Sequence, residues 1–341
     1  MTTSNKNLFG LMTNGEEIYS YVLTNKNGIS IKVITYGATL TELKVPTQNG
    51  DIVDVVLGFD TLESYLQSYE IDGPPYIGTT VGRFAGRIHN STFNLNGQKI
   101  VLNKNNNGNS LHGGTIGFSQ KVWSVENVEY GDEPAITLSY SSPANEENYP
   151  GNLTVEVTYS LTQANELKIY YSAKTTEDTI VNLTNHSYFN LDGHLSSVKD
   201  QELVVNAEQI LETNSEYIPT GRFLNLENTA FDFSSPKNCP TKIDNTFVLT
   251  KKDEFAAILF NQNNNLKMTV FTDQPGVHIY VGGNCSNKIK GKENADYHSL
   301  SGICFETQNF PDAPNHEHFP SSVLKKGEGY TQTTIFQFQT F

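Results

Sequence analysis

Arginine is scarce in this chain: only Arg83, Arg87 and Arg222 occur among 341 residues. So few guanidinium groups cannot tile an extended phosphate-reading surface. A formal net charge of −14 and a pI near 5.0 also oppose the electrostatic attraction on which binding to nucleic acid or an anionic membrane depends. These deficits exclude both as expected partners and favour a small or neutral ligand, although Arg83 and Arg87 lie close enough in sequence to hold a single phosphate. Long apolar runs are missing too: no stretch reaches about 18 residues. The first residues lack a basic region followed by an apolar run of about seven or more, so the expected location is cytoplasmic. The three cysteines, Cys239, Cys285 and Cys304, are odd in number and lack metal-ligand spacing, which predicts reduced, buried thiols and no disulfide framework.

Helical periodicity is equally sparse. No window of about 12 residues carries a 3.6-residue apolar repeat, and Leu62 to Tyr69 and Asp253 to Phe260 would at most be short helices. No fixed-period repeat emerges, which disfavours a propeller or solenoid.

What is present is strand and turn. Hydrophobic residues make up 37% and charged residues 18% of the chain, enough apolar material for a packed core. Leu153, Val155, Val157, Tyr159 and Leu161 alternate with polar residues, as do Leu167, Ile169, Tyr171 and Ala173, so Thr162 to Glu166 is expected to join a hairpin. A second hairpin is expected around Asn96-Gly97, a pair that accepts the positive φ angles of a tight turn. Further short apolar or alternating runs occupy 29–36, 53–57, 135–140, 203–205, 267–271, 278–281, 303–305 and 333–338. With 26 glycines and 13 prolines punctuating them and no composition break, the expected architecture is all-β: one large antiparallel β-sandwich domain over residues 1–341.

Four stretches carry polar groups of unusual specificity: Thr80-Val-Gly-Arg83-Phe-Ala-Gly86-Arg87-Ile, Ser110-Leu-His112-Gly-Gly114, Asn182-Leu-Thr-Asn185-His186-Ser-Tyr188-Phe-Asn190-Leu, and Cys304-Phe-Glu306-Thr-Gln308-Asn-Phe-Pro-Asp-Ala-Pro314. Strand alternation sends Glu306 to the face opposite Ile303 and Phe305, either into a cleft or to solvent. His186 shares parity with Asn182, Thr184 and Tyr188, a row suited to a hydroxyl-rich ligand, although a core histidine satisfied by backbone reads equally well. His112 precedes two glycines that allow close backbone approach.

These segments, in this order and across nearly the whole chain, resemble the galactose mutarotase (aldose 1-epimerase) family, whose stretches include Val-Gly-Arg…Arg-Ile, Leu-His-Gly-Gly, Thr-Asn-His-Ser-Tyr-Phe-Asn-Leu and Glu-Thr-Gln-Asn-x-Pro-Asp. The resemblance implies that hexose α and β anomers are interconverted by ring opening and re-closure. It makes Glu306 the general base at the C1 hydroxyl and His186 the general acid at the ring oxygen, the two meeting across the sugar. It further implies sugar contacts from Arg87, His112 and Asp244. Gly86 stands where many members have Asn and His278 where some have Gln, so both are candidate substrate-binding positions. A monosaccharide is the implied partner, no cofactor or metal is required, and monomer and homodimer both stay open. The competing readings are a sugar-binding module, a glycosidase using Glu306 and Asp244, a metal enzyme using His112, His186 and Glu306, and a hexose-phosphate epimerase using Arg83 and Arg87.

Overall fold

The computed structural model describes residues 6–249 and 254–341. The alternation read from the sequence sets its layers. In Leu153–Leu161 the odd positions are all buried while the even ones reach solvent to varying degree, and Glu166–Thr175 pairs with it antiparallel from Leu161↔Leu167 to Leu153↔Thr175. These two strands lie within a nine-stranded sheet ordered Ser124–Glu129, Ala135–Ser142, Leu153–Leu161, Glu166–Thr175, Gly329–Thr340, Leu266–Thr272, Ala257–Asn261, Glu202–Val205 and Lys237–Asn238. A six-stranded sheet runs Tyr188–Phe189, Ile303–Gln308, Gly276–Val281, Asp244–Val248, Gln209–Thr213 and Pro219–Asn225, and a five-stranded meander takes in Lys6–Leu11 to Ile52–Asp54.

One core joins them. Val157, Tyr171 and Phe336 of the large sheet, Phe247, Val277, Ile279 and Phe305 of the six-stranded sheet, and Val33, Leu40 and Leu43 of the meander belong to a single buried cluster. Phe189 marks the seam, with its ring centroid 4.7 Å from Phe336 and 6.1 Å from Phe305. The sandwich is therefore closed by residues of alternating parity, as large stacked sheets require.

Leu62–Ser68 forms a short α-helix, started by the Thr61 side chain accepting the Ser64 N–H. The other possible helix is a strand: Ala257–Asn261 buries Ala257, Leu259 and Asn261 in period two and pairs with Leu266–Thr272, while Asp253 lies outside the described residues. A short apolar run fits either element, and tertiary pairing decides it. The hairpin at Asn96-Gly97 forms with both residues at positive φ. All three cysteines are free and buried. Among the described residues no helix is long and apolar enough to cross a membrane.

Candidate active site

The six-stranded sheet has two faces with different duties. Ile303, Phe305, Val277 and Ile279 point into the core. On the other face the antiparallel register aligns Thr246, His278 and Glu306 in one rung and Asp244, Tyr280 and Cys304 in the next. This second face is the wall of a cavity of about 300 Å³, also lined by Tyr76, Arg87, His112, His186 and Tyr217. Glu306 is therefore not a solvated strand residue: all six residues of Ile303–Gln308 are buried, and the carboxylate opens only onto the cavity.

His186 reaches that wall from a break between two ladders. Thr184–Asn185 pairs with Thr80–Val81, whereas Tyr188–Phe189 pairs with Cys304 and Ile303. At the break, the His186 N–H donates to Thr79 O and its carbonyl accepts the Gly78 N–H, both at 2.9 Å. With the backbone pinned on both sides, the ring stands with Nε2 3.5 Å from Glu306 Oε1 and Nδ1 3.6 Å from Cys304 Sγ. The second oxygen, Glu306 Oε2, is buried without a hydrogen-bond partner. An unpaired buried carboxylate oxygen is costly and marks where a ligand hydroxyl would be welcome.

The row of Asn182, Thr184, His186 and Tyr188 expected on one ligand-facing strand is not formed. Asn182 spends its amide on the carbonyls of Ala85 and Asn309, Thr184 donates to Thr307 O, and Tyr188 donates to Pro75 O. Shared parity fails here because the strand ends at Asn185. Of the four, only His186 lines the cavity.

His112 follows Ser110–Leu111, which pairs with Arg87–Ile88. It sits at positive φ before Gly113 and Gly114. A Cβ on Gly113 would fall 1.9 Å from Gly82 O, so only glycine permits this approach. His112 Nδ1 accepts the Gly86 N–H at 3.2 Å, which leaves the ring proton on Nε2. Burial first, then the neighbouring His186, Arg87 and His278, push its pKa well below the ordinary histidine value, which favours the neutral ring. Gly86 also lines the cavity; at φ +78, a Cβ there would meet Pro311 Cβ and Cγ at 2.9 Å, so an asparagine at this position would displace Pro311.

Arg87 donates from Nε to Asn106 Oδ1 at 3.2 Å and rests 5.2 Å over the Tyr217 ring. Arg83 turns the other way. It is 2% exposed and donates to Ser142, to the carbonyls of Pro143 and Pro150, and to Thr179. The two arginines therefore do not converge on one phosphate.

Asp244 and His278 are bonded to each other. His278 Nε2 lies 2.9 Å from Asp244 Oδ1, and Nδ1 lies 2.9 Å from Thr246 Oγ1. Burial works against a charged His278, but the bond to Asp244 outweighs it and raises the pKa. Burial likewise opposes the Asp244 charge, and His278 together with Arg87 and His186 lowers its pKa nonetheless.

The ligand atoms of His112, His186 and Glu306 all lie within 4.8 Å of one another, so these are the residues to weigh for a metal. The donor set does not fit one. A metal-binding imidazole gives its free nitrogen to the ion and donates from the other, but the Gly86 amide occupies His112 Nδ1 and leaves a proton on Nε2.

Sequence reasoning did not single out Tyr76, Tyr217, Tyr280 or Thr246 as cavity residues. Nothing local distinguishes Tyr76 and Tyr217 from the other tyrosines of the chain, whereas Thr246 and Tyr280 could have been found from their parity with Asp244 and His278.

The aldose 1-epimerase family model matches residues 19–337. A galactose mutarotase of Bos taurus is 39% identical, with 99% of each chain covered. Among solved structures, an aldose epimerase homologue from C. elegans superposes with TM-score 0.85 at 30% identity, covering 94% of this chain and 99% of its own. A galactose 1-epimerase from Lactobacillus acidophilus gives TM-score 0.85 at 26% identity, with 99% of both chains covered.

Proposed function

We propose, for a chain that belongs to the aldose 1-epimerase family and is therefore an isomerase, that Glu306 and His186 are the base and acid with which it interconverts the α and β anomers of hexoses, galactose and glucose among them. The observation that carries this reading is the 3.5 Å separation of Glu306 Oε1 and His186 Nε2 on the wall of a cavity of about 300 Å³. Such a volume lies at the small end of ligand sites and suits one monosaccharide.

The spacing supports an acid and a base that stand side by side rather than facing each other across the ring. The C1 hydroxyl and the ring oxygen are bonded to the same carbon, so groups serving both must stand side by side. Glu306 takes the proton of the C1 hydroxyl, C1=O forms, the C1–O5 bond breaks, and His186 Nε2 delivers its proton to O5. Rotation about C1–C2 presents the other face of the aldehyde, and the two proton transfers reverse. Each side chain ends in its starting state, so no redox step is involved, and each positioned transfer contributes about 10² to 10⁴ in rate. Arg87, Asp244 and His112 Nε2–H supply donors and acceptors for the remaining hydroxyls, His278 acts on the sugar through Asp244, and Gly86 keeps space beside Arg87. Residues 1–341 act as one domain in this reading, and the working compartment is the cytoplasm.

Polarimetry of freshly dissolved α-galactose tests the assignment. Glu306→Gln lowers the catalysed rate by about 10² or more; turnover near wild type would remove Glu306 from its role. Sugar binding without faster anomer exchange in the unaltered protein would instead select a binding module.

A further inference from the structure

His186 has two ring nitrogens, and one strand addresses both. Cys304 and Glu306, two positions apart on Ile303–Gln308 and so on the same face, put Sγ 3.6 Å from Nδ1 and Oε1 3.5 Å from Nε2. The backbone groups of His186 are spent on Thr79 and Gly78, and the rings of Tyr188, His112, Tyr76 and Tyr280 surround the imidazole at 5.1, 5.5, 6.0 and 6.3 Å, with His112 Nδ1 taken by the Gly86 N–H. The Tyr188 hydroxyl donates to Pro75 O and the Tyr280 hydroxyl accepts the Asn284 N–H. The thiol is thus the polar side-chain group placed to meet Nδ1.

This has a chemical consequence for an acid that must work through Nε2. Once Nε2 has delivered its proton, the remaining ring proton must reside on Nδ1, and it needs an acceptor there. A carboxylate in that place would hold the imidazolium charged and blunt it as an acid, because an opposite charge favours the protonated form. Sulfur is a weak acceptor. The Cys304 side chain is fully buried, and burial, with Glu306 adding to it, pushes the thiol well above its ordinary pKa, so no thiolate forms to play the carboxylate's part.

We infer that Cys304 is a positioning residue for anomer exchange: its neutral thiol accepts the His186 Nδ1 proton weakly, holding the ring so that Nε2 is aimed at the ring oxygen and fixing the tautomer that remains once Nε2 has given up its proton. The inference rests on His186 being the acid, and its test separates the two. Nitrogen-15 NMR of the sugar-free protein reads the His186 tautomer without reference to activity, and polarimetry reads kcat and KM across pH. Titrated to the neutral form, the state left after Nε2 has given up its proton, the ring of the unaltered protein is expected to hold its proton on Nδ1. Cys304→Ala mixes the tautomers and lowers kcat about tenfold, at the low end of what a mispositioned proton transfer costs, with KM within about twofold. Cys304→Ser, which keeps an acceptor, recovers the single tautomer and most of the rate.

A neutral wild-type ring that keeps its proton on Nε2 overturns the inference, as does a Cys304→Ala protein with unchanged kcat, pH profile and tautomer. Loss of rate without tautomer mixing, or equally in Cys304→Ser, also overturns it by assigning the loss to packing. A wild-type protein that fixes the Nδ1–H tautomer yet does not speed anomer exchange supports the thiol's hold on the ring and sinks the acid role instead.

Discussion

Among the described residues, two carboxylate–imidazole pairs have both side chains buried, and their spacings are nearly the same. Glu306 Oε1 lies 3.5 Å from His186 Nε2, and Asp54 Oδ2 lies 3.3 Å from His194 Nε2. Their surroundings separate them. Asp54 also receives the Lys292 ammonium at 2.6 Å and the Leu43 N–H at 3.0 Å; Lys292 donates to Thr41 O, and His194 Nδ1 is 3.1 Å from the Tyr297 hydroxyl. Burial pushes the Asp54 carboxyl up, but His194 and Lys292 outweigh it and hold the pKa well below the carboxylate range. At Glu306 there is no lysine, one oxygen is unpartnered, and a cavity stands open in front. At Asp54 the carboxylate is engaged by an ammonium and a backbone amide, although His194 Nε2 is itself left without a hydrogen bond; at Glu306 it is a carboxylate oxygen that is left over, and it is left over beside a cavity.

The sharpest way to break this comparison is to exchange the consequences. Lys292→Met leaves Asp54 short of its cation in a sealed site and is expected to cost about 3 to 5 kcal/mol of stability, with turnover per folded molecule unchanged. Urea unfolding and polarimetry on the same sample measure both. A loss under about 1 kcal/mol, or a parallel loss of turnover, would show the two clusters are not distinct in kind. Glu306→Gln, whose rate effect is set out above, is its mirror.

The next effect is on the acid side. A carboxyl held below its ordinary pKa in the folded state contributes stability that is present above the unfolded value, about 3.9, and is lost as pH falls through the folded one. Stability should therefore drop below about pH 4 in the wild type. Asp54→Asn, less stable at neutral pH, should show a shallower decline there; identical acid slopes would deny Asp54 its part.

The smallest expected effect lies within the cavity, where Asp244 is paired to a histidine. The raised His278 pKa means that its charge, and with it the ionic hold on Asp244, is present at lower pH and lost as pH climbs through the raised value. We expect KM for galactose to rise a few-fold toward alkaline pH in the wild type and to stay flat in His278→Gln, which keeps a donor to Asp244 without a titrating charge. Matching KM profiles would confine His278 to a structural part.

Much of the site was legible because sheet parity is a local rule. Ile303, Phe305 and Glu306 announce their faces from spacing alone, and a row of polar residues where a core strand ends signals that something other than packing is served. The same rule misled at Asn182 to Tyr188, where a two-residue break between ladders leaves His186 alone in the cavity. A change of pairing partner is a long-range event that period-two counting does not register. Asp54, Lys292 and His194 were silent for a related reason. They come from distant parts of the chain, and a lone lysine in a polar loop looks solvated until the fold seals it. Arg83 shows the converse: close in sequence to the cavity arginine Arg87, it faces away and holds loops together.

Because Phe305 and Glu306 are consecutive and point to opposite sides of one sheet, slipping that strand by a single residue would drive a carboxylate among hydrocarbon and an aromatic ring into the cavity. Misassembly of the cavity wall is therefore also a gross folding error, visible to whatever degrades unfolded chains. Proteolytic surveillance of the fold would double as inspection of the chemistry, and the pool of surviving molecules would contain few that are folded yet out of phase.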